Sequence, residues 1–181
     1  IALPLESTAP SFEWPKGSGR SCLYQAGIWL AANINGEVYS ADAYYRNDYT
    51  AGPVIYGAPA DPSNIKYRTY KITRGDNAAS NVDYAEWPAD LGAPVNNDGS
   101  PKFYGDQTLF TVFNDFNAAN HLSCLNQPTL PLGAEVKQIV YGYKRPGTLY
   151  NNVYLKFIIT NHSSQTWTNT YAALWSDIDI G

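Results

Sequence analysis

The residues best placed to do chemistry stand at the C-terminal end of the sequence. Asp177-Ile178-Asp179-Ile180-Gly181 reads D-x-D-x-G. Alternate carboxylates before a glycine turn can supply the first ligands of a hard cation such as Ca²⁺, which takes six to eight oxygens. If Asp177 and Asp179 lie on a strand, both point to one face, where one ion can share them. Asp115 closes another strong apolar run and is the third candidate ligand. A full calcium loop carries further acids and a closing Glu, which do not follow here. The competing reading is a solvated strand end.

Other reactive side chains are more dispersed. Glu86 with Asp83 and Asp90 could form an acid–base pair only across a cleft of defined width. The simpler reading has them capping a local turn in solvent. His121 and His162 each lack a neighbouring His, Cys or Glu at metal-ligand spacing, and both fall in expected exposed loops. No Gly-x-Ser-x-Gly elbow, phosphate loop or Cys/His nucleophile pattern occurs. Cys22 and Cys124 are the only two cysteines. In an oxidising compartment a bridge between them closes about 100 residues, a constraint of roughly 4–5 kcal/mol in the chain-entropy model. Two buried free thiols are the alternative.

Composition narrows the classes. Charged residues make up 15% and aromatics 14%, with 15 Tyr, 14 Gly and 12 Pro. Tyr, Thr, Val and Ile favour pleated, half-buried surfaces, and Gly, Pro and Asn supply turns. The 12 Lys and Arg are scattered and the net charge is −4, so no cationic stripe suits nucleic acid. No apolar run reaches the length of a membrane-spanning helix, and no membrane insertion is expected. With no Met and no signal sequence at its start, the chain reads as a mature or internal fragment of a longer precursor. The abundance of Tyr and Trp implies exposed aromatics, for sugar stacking or for subunit contacts.

The elements that must position these residues are strands. Residues 1–20 form an extended arm, and 21–181 a single domain. SCLYQAGIWLAANI, Asn35-Gly36 and EVYSADAYY spell a hairpin, with Gly27 marking a bulge or a close backbone approach. A strand is expected over 66–73, and a short helical turn or ordered loop in DYAEWPADLGAP. DQTLFTVFNDF (106–116) is apolar on both faces and reads as a central strand. Residues 134–144, 150–160 and 166–176 read as a three-strand meander, each strand about 35 Å long, in one broad antiparallel sheet. The early hairpin and the 66–73 strand are expected to build the sheet that covers it. The fold class is therefore all-β: an antiparallel β-sandwich with long loops, of which a jelly roll is one form.

Several segments resemble a known family in order along most of the chain. They are EWPKGSG (13–19), Asn35-Gly36, Tyr45-Arg46 before a Gly-Pro loop, DYAEWPADLGAP (83–94), GDQTLFTVFND (105–115) and LWSDIDIG (174–181). The set is similar to a domain of large, uncharacterised surface or secreted proteins exported by the type IX secretion system of Bacteroidetes-like bacteria. The resemblance implies an exported all-β module near the front of a longer polypeptide and carries no settled activity. In similar proteins the acidic end continues with more Asp and Gly, so a cation site starting at Asp177 would be only part of one. Cys22 and Cys124 lie outside the resemblance.

The expected function is a non-catalytic extracellular or cell-surface module, structural or adhesive, with copies of itself or other surface proteins as partners. A carbohydrate-binding module of a secreted protein, with glycans as partners, is the alternative. It would present two or three coplanar exposed aromatics. Ca²⁺ is the one candidate cofactor.

Overall fold

A computed structural model describes residues 12–15, 17–44, 48–121, 128–145, 147 and 149–178. In chain order the strands are β1 (Phe12–Glu13), β2 (Ser21–Leu23), β3 (Gln25–Ile34), β4 (Glu37–Asp42), β5 (Thr50–Ala51), β6 (Val54–Ile55), β7 (Ala58–Pro59), β8 (Tyr70–Thr73), β9 (Gln107–Asn114), β10 (Ala134–Gly142), β11 (Tyr154–Asn161) and β12 (Thr168–Asp177). One helix, α1 (Val82–Ala85), and three 3₁₀ turns complete the described elements. The expected all-β class holds: the sheets are antiparallel and open, and none closes on itself. The chain packs as two compact units.

The first unit comprises residues 1–50, 115–134 and 161–181. Its main sheet has the order β12-β3-β4. Asn35 (φ 54°) and Gly36 (φ 90°) both take positive φ between Ile34 and Glu37, which are paired. That is the turn the Asn-Gly dipeptide favours, because its twist matches the strands it joins. Even-numbered residues of β3, Ile28 through Ile34, are buried and form this unit's apolar layer. Gly27 permits the close approach anticipated for it. A Cβ there would lie 2.5 Å from the Ala43 carbonyl oxygen.

The second unit comprises residues 51–114 and 135–160. Its sheet runs β11-β10-β9-β5, with β8 also pairing β9. β9 is central, as its two-sided apolar pattern requires. Thr108, Phe110, Val112 and Asn114 are buried, and the residues between them are half-buried. Phe110 packs in a cluster with Tyr70, Ile72, Trp87 and Ile139. DYAEWPADLGAP folds as expected. Asn81 caps α1 by accepting the Asp83 N–H, and a 3₁₀ turn (Ala89–Leu91) ends at Gly92, which takes φ 89°.

Two expectations are corrected. The three C-terminal strands do not form one meander. β10 and β11 are neighbours, but β12 pairs β3 in the other unit's sheet. The cause lies in the connection. Asn161 closes a turn on the Gln165 carbonyl at 2.8 Å, and Gln165 accepts a hydrogen bond from Asn35 at the tip of the β3–β4 hairpin. Thr168 then donates to the Asn33 carbonyl at 3.0 Å, which delivers the chain to β3. The 66–73 segment is likewise shorter than expected and pairs elsewhere. Asn64 caps a 3₁₀ turn over Ile65–Tyr67, leaving Tyr70–Thr73 as a strand that pairs β9 rather than the hairpin.

Candidate functional site

The densest set of titratable side chains lies in the first unit, along the outer edge of β4. Strand β3 pairs one side of β4. On the other side, backbone groups that an edge strand leaves open are taken by side chains. His121 Nδ1 lies 2.9 Å from the Ser40 carbonyl oxygen, and the Thr129 hydroxyl donates to the same oxygen at 3.1 Å. The Asp42 N–H donates to Asp48 Oδ2 at 2.8 Å. On the side that β3 pairs, the Tyr49 hydroxyl donates to the Ala41 carbonyl at 3.2 Å.

His121 follows a 3₁₀ turn (Ala118–Asn120) capped by Asn117, and its side chain is fully buried. Its Nε2 lies 2.7 Å from the Asp115 carbonyl oxygen. Each ring nitrogen thus faces a carbonyl oxygen, which can only accept. Two carboxylates stand beside the ring: Asp48 Oδ2 at 3.8 Å from Nδ1 and Asp115 Oδ2 at 3.9 Å from Nε2.

Burial pushes the Asp48 carboxyl up to about 6, against the pull of the Asp42 N–H and the His121 charge. Its Oδ1 is buried with no hydrogen-bond partner among the described residues. Burial also raises Asp115, while the N–H groups of Ala134 and Leu132 hold it back; they donate to Oδ1 and Oδ2, each at 2.6 Å. Tyr49 is driven well above the usual tyrosine value by burial and then by Asp115, Asp42 and Asp48. The arrangement seals a strand edge and pins the 131–134 segment.

The sequence-derived candidates fall as follows. Asp115 is buried and its carboxylate is committed to two backbone N–H groups. Asp177 ends β12, half-buried opposite Gln25, with its carbonyl accepting the Tyr24 N–H at 2.9 Å. Asp179 lies outside the described residues. Among the described residues, no three His, Cys, Asp or Glu gather where a metal ion could be held. Cys22 is a free thiol on β2, its Sγ 3.6 Å from the Phe12 carbonyl oxygen; Cys124 lies outside the described residues.

His121 corrects the expectation of an exposed loop histidine: three backbone and hydroxyl partners, one of them 81 positions away, draw it inside. His162 is exposed, as expected. In the second unit, Asp83 and Glu86 are bound by one arginine. Arg68 Nη2 lies 2.9 Å from Asp83 and 2.8 Å from Glu86, and Lys66 pairs with Asp90. Asp83 also accepts the Lys71 N–H at 2.9 Å, fastening α1 to β8. The Arg68 fork carried no sequence signal, since its partners lie 15 and 18 positions on.

Two aromatic groups stand out. In the second unit, Tyr154 stacks on Tyr141, Tyr143 meets both edge to face, and Tyr104 lies tilted against Tyr141. In the first, Trp29 and Trp175 lie parallel to within 9° on neighbouring strands, centroids 6.3 Å apart, with Tyr44 edge-on to both. In comparisons with protein-family models, curated proteins and solved structures, nothing matches this chain.

Proposed function

We propose that the chain is a non-catalytic structural or adhesive module that works outside the cell through contacts of its surface with other proteins, copies of itself included. One observation carries the reading. The last two strands expose large apolar side chains on both faces: Ile158 and Ile159, successive residues of β11, are 42% and 37% exposed. Successive strand residues point to opposite faces, so neither face of β11 is fully covered. Contiguous exposed apolar surface marks interaction sites. The buried ionic cluster supports the reading from the other side, since its hydrogen bonds are spent on backbone groups of its own unit. The low-charge, Tyr-rich composition and the resemblance to exported surface proteins support the location.

The test is cohesion between surfaces. Beads coated with the full chain are expected to cluster, and beads coated with an inert protein to stay dispersed. Dispersed coated beads would remove the proposal. The parallel Trp29–Trp175 pair favours one second reading, a sugar-stacking surface. Binding on a glycan array that is lost in Trp175→Ala would establish it in place of the first.

A further inference from the structure

We propose that a surface of the second unit centred on Tyr104 binds an acidic polysaccharide, whose sugar rings meet the tyrosines and whose anionic groups meet Lys102 and Lys156. The proposal goes beyond the contact reading by giving the module a ligand, and it does not use the Trp29–Trp175 pair.

Charge is divided unevenly along the chain. The second unit holds nine of the 12 Lys and Arg and eight acids; the remaining residues hold three cations and eight acids. Most acids of the second unit are already engaged. Arg68 binds Asp83 and Glu86, Lys66 binds Asp90, Arg74 binds Asp106, and Lys137 lies beside Glu135. Lys102 and Lys156 form no ion pair among the described residues. Both nevertheless come to one ring, with their Nζ atoms 5.8 and 5.3 Å from the Tyr104 centroid. Lys156 Nζ also donates to the Tyr104 hydroxyl at 3.4 Å. Both lysines are exposed. Two ammonium groups brought to one ring without a carboxylate repel each other, and an anion beside them relieves the repulsion.

The ring between them is held in place. The Tyr143 hydroxyl donates to the Tyr104 carbonyl at 3.1 Å. Tyr104 lies 5.5 Å from Tyr141, on which Tyr154 stacks to within 13°. A third cation, Arg145, stands 5.6 Å from the Tyr143 ring. All four tyrosines are half-buried, so each packs on the unit and keeps part of its surface in solvent. Aromatic bodies with wet polar tips suit a ligand that is apolar on its flat face and hydroxyl-bearing at its rim. Lys102 also lines an open pocket of about 410 Å³ with Val95, Asn96, Asn97 and Asp98, a size that takes a small ligand.

These groups select among polyanions. Single-stranded nucleic acid also uses cations and stacking, but it tracks a groove lined with positive charge. Here Asp98 stands in the same pocket as Lys102 and repels a phosphate chain. A sugar hydroxyl, in contrast, donates to a carboxylate or to an amide oxygen. An acidic peptide brings carboxylates but few hydroxyls. Sugar rings that carry a carboxylate or a sulfate match the aromatic faces, the polar pocket and the two unpaired ammonium groups together.

Electrophoresis of the full chain through gels that contain a polymer, compared with gels without it, tests the surface. Hyaluronan supplies carboxylates, keratan sulfate supplies sulfates, and dextran is neutral; poly-glutamate and oligothymidylate represent the other polyanions. The wild type is expected to be slowed by an acidic polysaccharide and not by dextran. Lys102→Gln and Lys156→Gln are each expected to weaken that binding by about ten-fold, with unchanged melting temperature, and Trp175→Ala to leave it as it was. Preference for hyaluronan names carboxylate as the anion, and preference for keratan sulfate names sulfate; either supports the proposal. Binding no stronger than to dextran would overturn it. So would binding indifferent to both lysines, or equal binding of poly-glutamate or oligothymidylate. Bead cohesion is read without polysaccharide, so the two readings fail separately: dispersed beads remove the contact module, and loss of polysaccharide binding removes only this ligand.

Discussion

His121 donates from Nε2 to the carbonyl oxygen of Asp115 at 2.7 Å, while the Asp115 carboxylate stands 3.9 Å from the same nitrogen. One residue thus meets the ring twice, through its backbone carbonyl and beside its carboxylate. Asp115 also accepts the N–H groups of Leu132 and Ala134, so removal of the ring affects the β4 edge and the 131–134 segment together. Leaving a buried donor or acceptor without its partner typically costs about 1–3 kcal/mol for each group, and the ring serves two carbonyl oxygens. His121→Ala is expected to lose that much in urea unfolding, and Thr129→Val only about 1 kcal/mol, since the Ser40 carbonyl keeps the ring. A His121→Ala loss no larger than that of Thr129→Val would show that the cluster does not hold the edge.

The same cluster sets a pH dependence. Asp48 is pushed up to about 6 in the folded chain from its ordinary 3.8, because burial disfavours its anion. Between about 4 and 6 the unfolded chain has released this proton and the folded chain still holds it. Stability attributable to Asp48 is therefore full at the acid end and falls as pH rises through this window. Asp115 is shifted in the same direction. Asp61, Asp76, Asp98 and Asp106 are lowered by hydrogen bonds. Their contribution has the opposite sign: it is present above about 4 and is lost in more acidic solution. Asp48→Asn is expected to flatten the decline between pH 4 and 6 and leave the acid limb unchanged, as read from melting temperature against pH.

Gly27 is required by the Ala43 backbone. Gly27→Ala would press a methyl group to 2.5 Å from that carbonyl oxygen. An overpacked site of this kind costs about 1–3 kcal/mol. Urea titration should show a lower midpoint. An unchanged midpoint would mean that the β3 backbone moves away from Ala43 at no cost.

Tyr56 at the β6–β7 turn is fully exposed and has φ 51°, a conformation that bulky residues adopt at a penalty. Asn tolerates it, and Asn-Gly is the favoured pair for such a turn. Tyr56→Asn is expected to raise stability by about 0.5–1 kcal/mol. A loss of stability would reveal packing by the phenol ring.

Local chemistry was legible where one or two residues decide the geometry. Asn35-Gly36 announced its turn because both positions need positive φ, and Gly27 its close approach because a side chain would not fit. The centrality of β9 was legible because Leu109 and Phe110 leave no polar face. The partner of β12 was not. Its alternation suits either sheet, and Asn35, Asn33 and Leu132, all remote in sequence, make the bonds that steer the chain before it. The burial of His121 was equally hidden: Ser40, its Nδ1 partner, lies 81 positions away. A polar loop residue gains a buried role only when the fold brings such acceptors to it.

β3 and β12 meet across nearly the whole sequence, Leu174 opposite Ile28. Closing so long a loop carries an entropic cost that nearby residues do not face. During synthesis β3 therefore emerges with β4 at one side and without its β12 partner at the other until residues 168–177 follow. Until then the β3 backbone groups that β12 will pair stand as an open strand edge. The sheet's order β12-β3-β4 is thus complete only once both ends of the sequence are present.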